Sequence, residues 1–490
     1  VTPSVADLFF IFVIAWSFLT SEAGWLRLLM DGDAGLHIRI GDWIREHGAA
    51  PTRDLFAFSV EPRAWYAFEW LSEVIFSAVH AAWALKGVTL LSGVVLAAVF
   101  TVLLLFCLWR GAHLLVALPL VLLAVNAMNV HFYARPHIFT LLLLAAAAWI
   151  VERDRRRPDA RLWLLVPATV LWANLHGGFF VFFAYLGLLI AGSTAEAWLG
   201  ARPWNAALRY LKLGLACGAA SLVNPYGLGL HAHILEVLRA PWLIEVVKEF
   251  QSPDFRGEAM LAFLAALLLG AGLTGRLLAR RQITEALWIL FLAYSSLVSV
   301  RHLTIYLLIA TPVIAAELSA LWSAWVETTG RQSVVRLLDA AGRDFAALRH
   351  VSVWTPAFIL CLALTPALAW PRDFPADLFP VEMNARHAEL FTRGRVFTAD
   401  QWGDYLVYRN YPRQKVFLDG RHNYYGEHVV GDFLEISNGK PRWSALLDRY
   451  RVDTLLVKRG APLEALARIS PGWKLLDEDS LALLFVRERP

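Results

Sequence analysis

The sequence predicts a polytopic α-helical membrane protein carrying a C-terminal extracytoplasmic α/β domain. Composition is the first reason: 58% of the 490 residues are hydrophobic and 18% are charged, with a mean hydropathy of +0.51. A soluble chain of this length would carry about a quarter charged residues. The second reason is the recurrence of apolar runs, since a helical crossing needs about twenty such residues. The third is a change of character after Trp370, where charge rises and short apolar strands alternate with helical stretches.

Residues 6–26 form the first expected crossing. Further ones are expected near 88–109, 114–130, 138–151, 162–175, 179–198, 211–222, 259–273, 286–300, 304–321 and 353–370. That makes about eleven, within a range of 11–13 for the fold class. Residues 69–85 are apolar enough to cross as well, but counting them would flip RDRRR (153–157) to the outside. They are read as a re-entrant or interfacial pair of turns, with an extra crossing balanced elsewhere as the alternative.

Arginine placement orients the bundle, because cytoplasmic loops collect Lys and Arg. RDRRR is the strongest anchor, RLLARR (276–281) the second, and residues 331–349 the third. In the last, Val334, Leu338, Ala341, Phe345 and Leu348 recur at helical spacing, so an amphipathic surface helix is expected. The first span lacks a cleavable signal's small-residue site and basic flank. Cys107, Cys217 and Cys361 all fall in apolar spans, which leaves no disulfide framework and no clustered-cysteine metal site.

Two units follow: a membrane module, 1–370, whose first outer loop is 27–69, and a soluble tail, 371–490. In the tail, strands are expected at 396–399, 415–418, 454–457 and 482–486, and a helix at 442–450. About 120 residues is enough to fold alone.

On this topology the outer face collects the unusual polar motifs. MDGDAGLHIRIGDW (30–43) places Asp31, Asp33 and His37 directly after the first span, and carboxylates at a membrane edge carry a desolvation cost. Burial raises a carboxylate's pKa towards the range useful for deprotonating a hydroxyl, which makes Asp33 a candidate general base; the plainer role is a helix cap. Glu69, in FEWLSE, could meet Asp33 to bind a metal, share a proton or hold sugar hydroxyls, or could share a wet helix face with Glu73. These residues single out no particular cofactor, and a divalent metal is left open.

Arg135 and His137 flank Pro136, and Arg301 and His302 begin a later span. A guanidinium there could grip a phosphate through its planar donor fork, or snorkel to headgroups. His176 precedes two glycines and could donate to a neighbouring carbonyl. His231 and His233 alternate as in a strand or loop and, with Asn224 of NPYG, could bind metal, although satisfied surface groups are commoner. EFQSPD, beginning at Glu249, falls on the same face. Neither GxxxxGK[ST] nor GxSxG occurs, which argues against soluble nucleotide chemistry and against a self-contained ATP-driven transporter.

The order of the Asp-rich first loop, GDWI, PTRDLFAFS and EWLSE, followed by ARPH and NPYG, resembles the GT-C superfamily of integral-membrane glycosyltransferases over most of residues 31–302. It is especially similar to bacterial members related to dolichyl-phosphate-mannose protein mannosyltransferases. The resemblance implies an inner (cytoplasmic) membrane location and an active site on the outer face. It also implies a sugar donor on a polyprenyl phosphate or pyrophosphate, and a first-loop carboxylate as base. Matched residue by residue, that base is Asp33, with Asp31 second; Arg135 and Arg301 are candidates for the lipid phosphate.

DQWGDYLVYR (400–409), KVFLDGR and YG are similar in layout to the soluble domain of oligosaccharyltransferases, although QWGDY departs from WWDYG. Asp419, Arg421 and Tyr425 could therefore bind acceptor or cover the site; a strand-terminal turn is the plainer role.

The function expected is inverting sugar transfer to a glycan, lipid or protein acceptor, with membrane lipids as surroundings and no nucleic-acid partner. A transporter or flippase of a lipid-linked glycan would need ionisable residues along a path through the bundle, and few lie near the span centres. A catalytically silent scaffold presenting the tail is the remaining alternative.

Overall fold

A computed structural model describes residues 2–330, 332–366 and 368–488. Arg331, expected at the start of the amphipathic helix, and the last two residues of the tail lie outside the described residues.

Among the described residues, five helices are long and apolar enough to cross a membrane: Trp70–Trp109, Leu114–His131, Phe179–Trp198, Glu258–Ala279 and Val300–Thr328. Shorter apolar helices run beside them. The chain is an integral membrane protein. The helix Leu303–Thr328 is apolar and buried on nearly every face over its first half, as befits the centre of a bundle.

The bundle has two polar ends. One joins Asp31, Arg135, Glu249 and Arg301. The other joins Arg110, Glu152, Arg155, Glu196, Arg202 and Glu285. The chain's start belongs to the arginine-rich end, where Asp7 accepts hydrogen bonds from Ser352 and Thr355. From there helices run between the two ends, five of them among the described residues long and apolar enough to cross a membrane.

Residues 69–85 depart from the expected pair of turns. They begin one 40-residue helix, Trp70–Trp109, broken at Trp83–Ala84, where Ala84 has φ +50°. The first half lies along the helix Asp33–His47, so closely that a Cβ on Gly41 would strike the Glu73 carbonyl. The second half runs between the two ends of the bundle, finishing at Trp109 beside Arg110.

The amphipathic helix is Val334–Ala347, with Val334, Leu337, Leu338 and Phe345 exposed along it. An apolar face left bare at a helix-bundle end suits a membrane interface.

Arg155 is almost fully buried, with its side chain 1% exposed. Its Nη1 and Nη2 lie 2.8 and 3.0 Å from the Glu285 carboxylate, Nη1 lies 3.1 Å from Glu152, and the guanidinium covers Trp288. Removing one member of a buried ionic network strands its partners at a cost of about 3–5 kcal/mol. Arg155→Leu is therefore expected to lower the thermal unfolding temperature in detergent sharply, whereas Arg157→Ala, at an exposed position, should leave it nearly unchanged.

The tail forms a four-stranded sheet in the order β1-β2-β4-β3, with β1 (Val396–Phe397), β2 (Thr454–Lys458), β3 (Trp473–Glu478) and β4 (Ala482–Arg487). β1 pairs parallel with β2, and β4 is antiparallel to both its neighbours. β2 is apolar and buried on both faces, as a central strand should be. The strand expected at 415–418 reduces to bridges from Val416 to Val396 and Ala57, and β3 was absent from the expected set because charges interrupt its apolar alternation.

The Ala57 bridge joins the tail's sheet to the first loop. Phe58 donates to the Val416 carbonyl, and Val416 donates back to Phe56. The tail's helix Asp400–Asn410 lies against Asp33–His47 through Gly32 and Gly35, whose Cβ atoms would come within 2.5 Å of Gln401 O and 2.6 Å of Tyr408 Cβ. Loop and tail thus form one interlocked layer over the bundle end.

Candidate active site

Asp31 follows the turn Gly24–Leu29, and its Oδ1 accepts the Asp33 N–H at 3.0 Å. The N-cap itself is Gly32, and Asp31 holds the first helical N–H from one residue further back, with its other oxygen 2.8 Å from Arg135 Nη1. Asp33 makes no cap; its Oδ2 lies 2.8 Å from Arg135 Nη2. Its Oδ1 is buried without a hydrogen-bond partner among the described residues. An unpaired buried carboxylate oxygen is costly and calls for an explanation, such as a catalytic role.

Arg135 stands on the short connection before the helix His137–Arg156, held rigid by Pro136. Besides Asp31 and Asp33 it pairs with Glu249 at 2.9 Å. Arg301 approaches the far oxygen of Glu249 at 3.8 Å and covers Phe250. Burial pushes Asp31 up to about 6, against the pull of Arg135. The same guanidinium holds Glu249 well below the usual carboxylate range.

Glu69 begins the helix at Trp70, and burial pushes it up to about 7. It lies 3.5 Å from His37 Nε2 and 3.2 Å from His176 Nε2. His176 Nδ1 accepts the Gly178 N–H at 3.0 Å and lies 2.8 Å from Thr140 Oγ1. Its proton must then sit on Nε2, donated to Glu69, and burial keeps the ring neutral. The role expected of His176, donation to a carbonyl, becomes donation to a carboxylate.

His37, Glu69 and Glu73 are the one trio among the described residues with metal-ligating atoms close together. However, His37 Nδ1 faces Glu73 at 3.1 Å and Nε2 faces Glu69 at 3.5 Å. The ring bridges the two acids, and one ion could take only one of its nitrogens. The geometry fits a hydrogen-bonded bridge better than a metal centre.

The tail reaches the same place. Gly420 N–H donates to the Asp404 carboxylate at 3.1 Å, and a Cβ on Gly420 would strike Asp33 Oδ1. Burial, with Asp33 and Asp419 beside it, pushes Asp404 well above the usual carboxylate range. Asp419 and Arg421 form a clamp: Arg421 spans Asp419 at 2.6 Å and Asp54 of the first loop at 2.8 Å, and Tyr425 donates to Asp419 at 2.8 Å. These three residues tie tail to loop.

The remaining candidates make their hydrogen bonds elsewhere, although the His137 ring lies within the field of Arg135 and Glu249. His137 meets the His131 carbonyl, and His302 turns back to Ser295. Asn224 closes its own turn through Ser221, Tyr226 and Gly227. His231 and His233 lie on the helix Leu228–Leu238 rather than in a strand or loop; the first contacts Ser221 and the second contacts Asn423 and stacks on Tyr66. None of these forms a metal cluster with Asn224.

Sequence reasoning missed Glu73, Asp404 and the Glu249 carboxylate as site residues. Glu249 had a readable signal, an acid in a motif on the same face as Arg135 and Arg301. Asp404 had none, because its neighbour Asp33 lies 371 residues away in sequence.

No family model matches the chain, and no curated protein does. Solved structures do. The apo oligosaccharyltransferase of Archaeoglobus fulgidus aligns with a TM-score of 0.56 at 11% identity, covering 93% of this chain and 69% of that one. The archaeal oligosaccharyltransferase AglB from the same organism, in complex with an inhibitory peptide and a dolichol-phosphate, gives 0.53 at 12%, covering 93% and 68%. ArnT from Cupriavidus metallidurans, bound to undecaprenyl phosphate, gives 0.45 at 12%, covering 98% and 97%. The fold over most of the chain is similar to that of these oligosaccharyltransferases.

Proposed function

We propose that this chain is a membrane glycosyltransferase that moves a sugar from a polyprenyl-phosphate donor to an acceptor hydroxyl at the loop-and-tail end of the bundle. The observation that carries the reading is Asp33: one oxygen fixed by Arg135, the other buried and free. The free oxygen takes the acceptor's proton as that hydroxyl attacks the anomeric carbon, and the lipid phosphate leaves with inversion. A phosphate already bears stable negative charge as it departs, so the site needs cations there rather than an acid. Arg135 and Arg301 supply them.

A transporter is supported less well. A translocation path wants ionisable groups along its length, whereas here they gather at the two bundle ends. The decisive assay is transfer from a labelled polyprenyl-phosphate sugar to endogenous acceptors by the protein in proteoliposomes. No release of polyprenyl phosphate above the level of empty liposomes would overturn the reading.

The arginine-rich end is read as cytoplasmic and the tail as extracytoplasmic in a bacterial inner membrane. Arg157 and Lys440 are exposed, one at each end. In a background lacking the three native cysteines, Arg157→Cys and Lys440→Cys should react with an impermeant maleimide from opposite sides. Labelling of both from one side would reject this orientation.

A further inference from the structure

The two guanidiniums read as the phosphate contacts are already paired with carboxylates. Asp31, Asp33, Glu69 and Glu249 surround two guanidiniums, Arg135 and Arg301. Asp31 and Asp33 are fixed, the first by the Asp33 N–H and both by Arg135; Glu69 is fixed by two histidines. Glu249 alone among the four bridges both guanidiniums, one oxygen to each.

We propose that the Glu249 carboxylate is an internal stand-in for the donor's phosphate, occupying the anion place between Arg135 and Arg301 and rotating out when the lipid phosphate arrives. This rests on the reading of those two arginines as the phosphate contacts.

Three features support it. The side chain is 28% exposed, the most open of the carboxylates paired to Arg135, so it has a way out. The backbone beneath it is pinned, because Ser299 Oγ donates to the Glu249 carbonyl and Val300 N–H to Gln251. The exchange is therefore a side-chain rotation about a fixed frame and needs no movement of the segment. An anion also stays between the guanidiniums throughout: one carboxylate leaves and the lipid's phosphate takes its place, with the two guanidiniums suited to its oxygens. In the empty site the stand-in keeps Arg135 and Arg301 neutralised, and it sets a threshold that weaker anions do not pass.

The test is binding of polyprenyl phosphate to the full-length protein in detergent. Glu249→Gln should tighten it by about tenfold, since the competitor's charge is gone while its shape remains; Arg301→Gln should weaken it. Unchanged or weaker binding by the Glu249 variant, with loss in the arginine variant, overturns the stand-in and leaves the phosphate reading intact. No effect from Arg301→Gln removes the phosphate reading and the stand-in with it. Should Glu249→Gln fold poorly, the wild-type protein answers instead. Carbodiimide labelling of Glu249, localised by mass spectrometry, should rise several-fold when polyprenyl phosphate is added; constant or reduced labelling overturns the proposal.

Discussion

Asp33→Asn is expected to reduce sugar transfer by about 10²–10⁴-fold, the range a general base contributes, while donor binding and the folded state survive. The amide oxygen can still accept from Arg135 where Asp33 Oδ2 now lies, at 2.8 Å. The free position beside Gly420 then carries an NH₂ group, which cannot take a proton. Asp31→Asn should cost less, because it removes no base and its amide oxygen can still accept the Asp33 N–H; the cost it does carry is the lost pair with Arg135, which the NH₂ group cannot replace. Single-turnover transfer with preloaded donor separates chemistry from binding, and size-exclusion profiles report folding. Near-normal transfer by the Asp33 variant together with loss in the Asp31 variant would exchange the two roles.

The membrane architecture was legible because helical passes and arginine-rich turns are local, one-dimensional signals. Residues 69–85 are instead the first part of a helix that breaks at Trp83–Ala84. The first-loop acids and Arg135 were legible for the same reason: charges at span boundaries stand out against apolar sequence. Contacts across the chain were not. Nothing local in QWGDY says that Asp404 will be buried beside Asp33, or that Gly420 must lack a side chain to let the two layers meet. The clamp of Arg421 on Asp54 likewise needs the first loop to add itself to the tail's sheet at Ala57. The arginine-end network was hidden differently. RDRRR read as a topological anchor, yet Arg155 is buried among Glu152, Glu196 and Glu285, three acids scattered over separate helix ends.

The two arginines proposed for the lipid phosphate should separate in their kinetics. Among the described residues Arg301 has a single loose ionic partner, Glu249 at 3.8 Å, and it is partly open to solvent, with its side chain 36% exposed. Losing it removes a phosphate contact and little else. Arg301→Gln is therefore expected to raise the donor KM by about tenfold, in keeping with one charge-assisted hydrogen bond, with kcat and the acceptor KM nearly unchanged. Arg301→Lys should restore part of that loss, since an ammonium supplies charge without two parallel donors. Arg135 is bound up with the base itself. It holds Asp31, Asp33 and Glu249 together, so Arg135→Gln leaves three neighbouring carboxylates unneutralised and frees Asp33 to turn. Its kcat should fall at least as far as that of Asp33→Asn, and Lys should rescue little, because one ammonium cannot reach Asp31 and Asp33 with the same fork geometry. Steady-state kinetics against a polyprenyl-phosphate sugar decide between the roles. Equal effects of the two glutamine variants on KM alone would mean that Arg135 does not orient the base; unchanged donor KM in both would place the phosphate elsewhere.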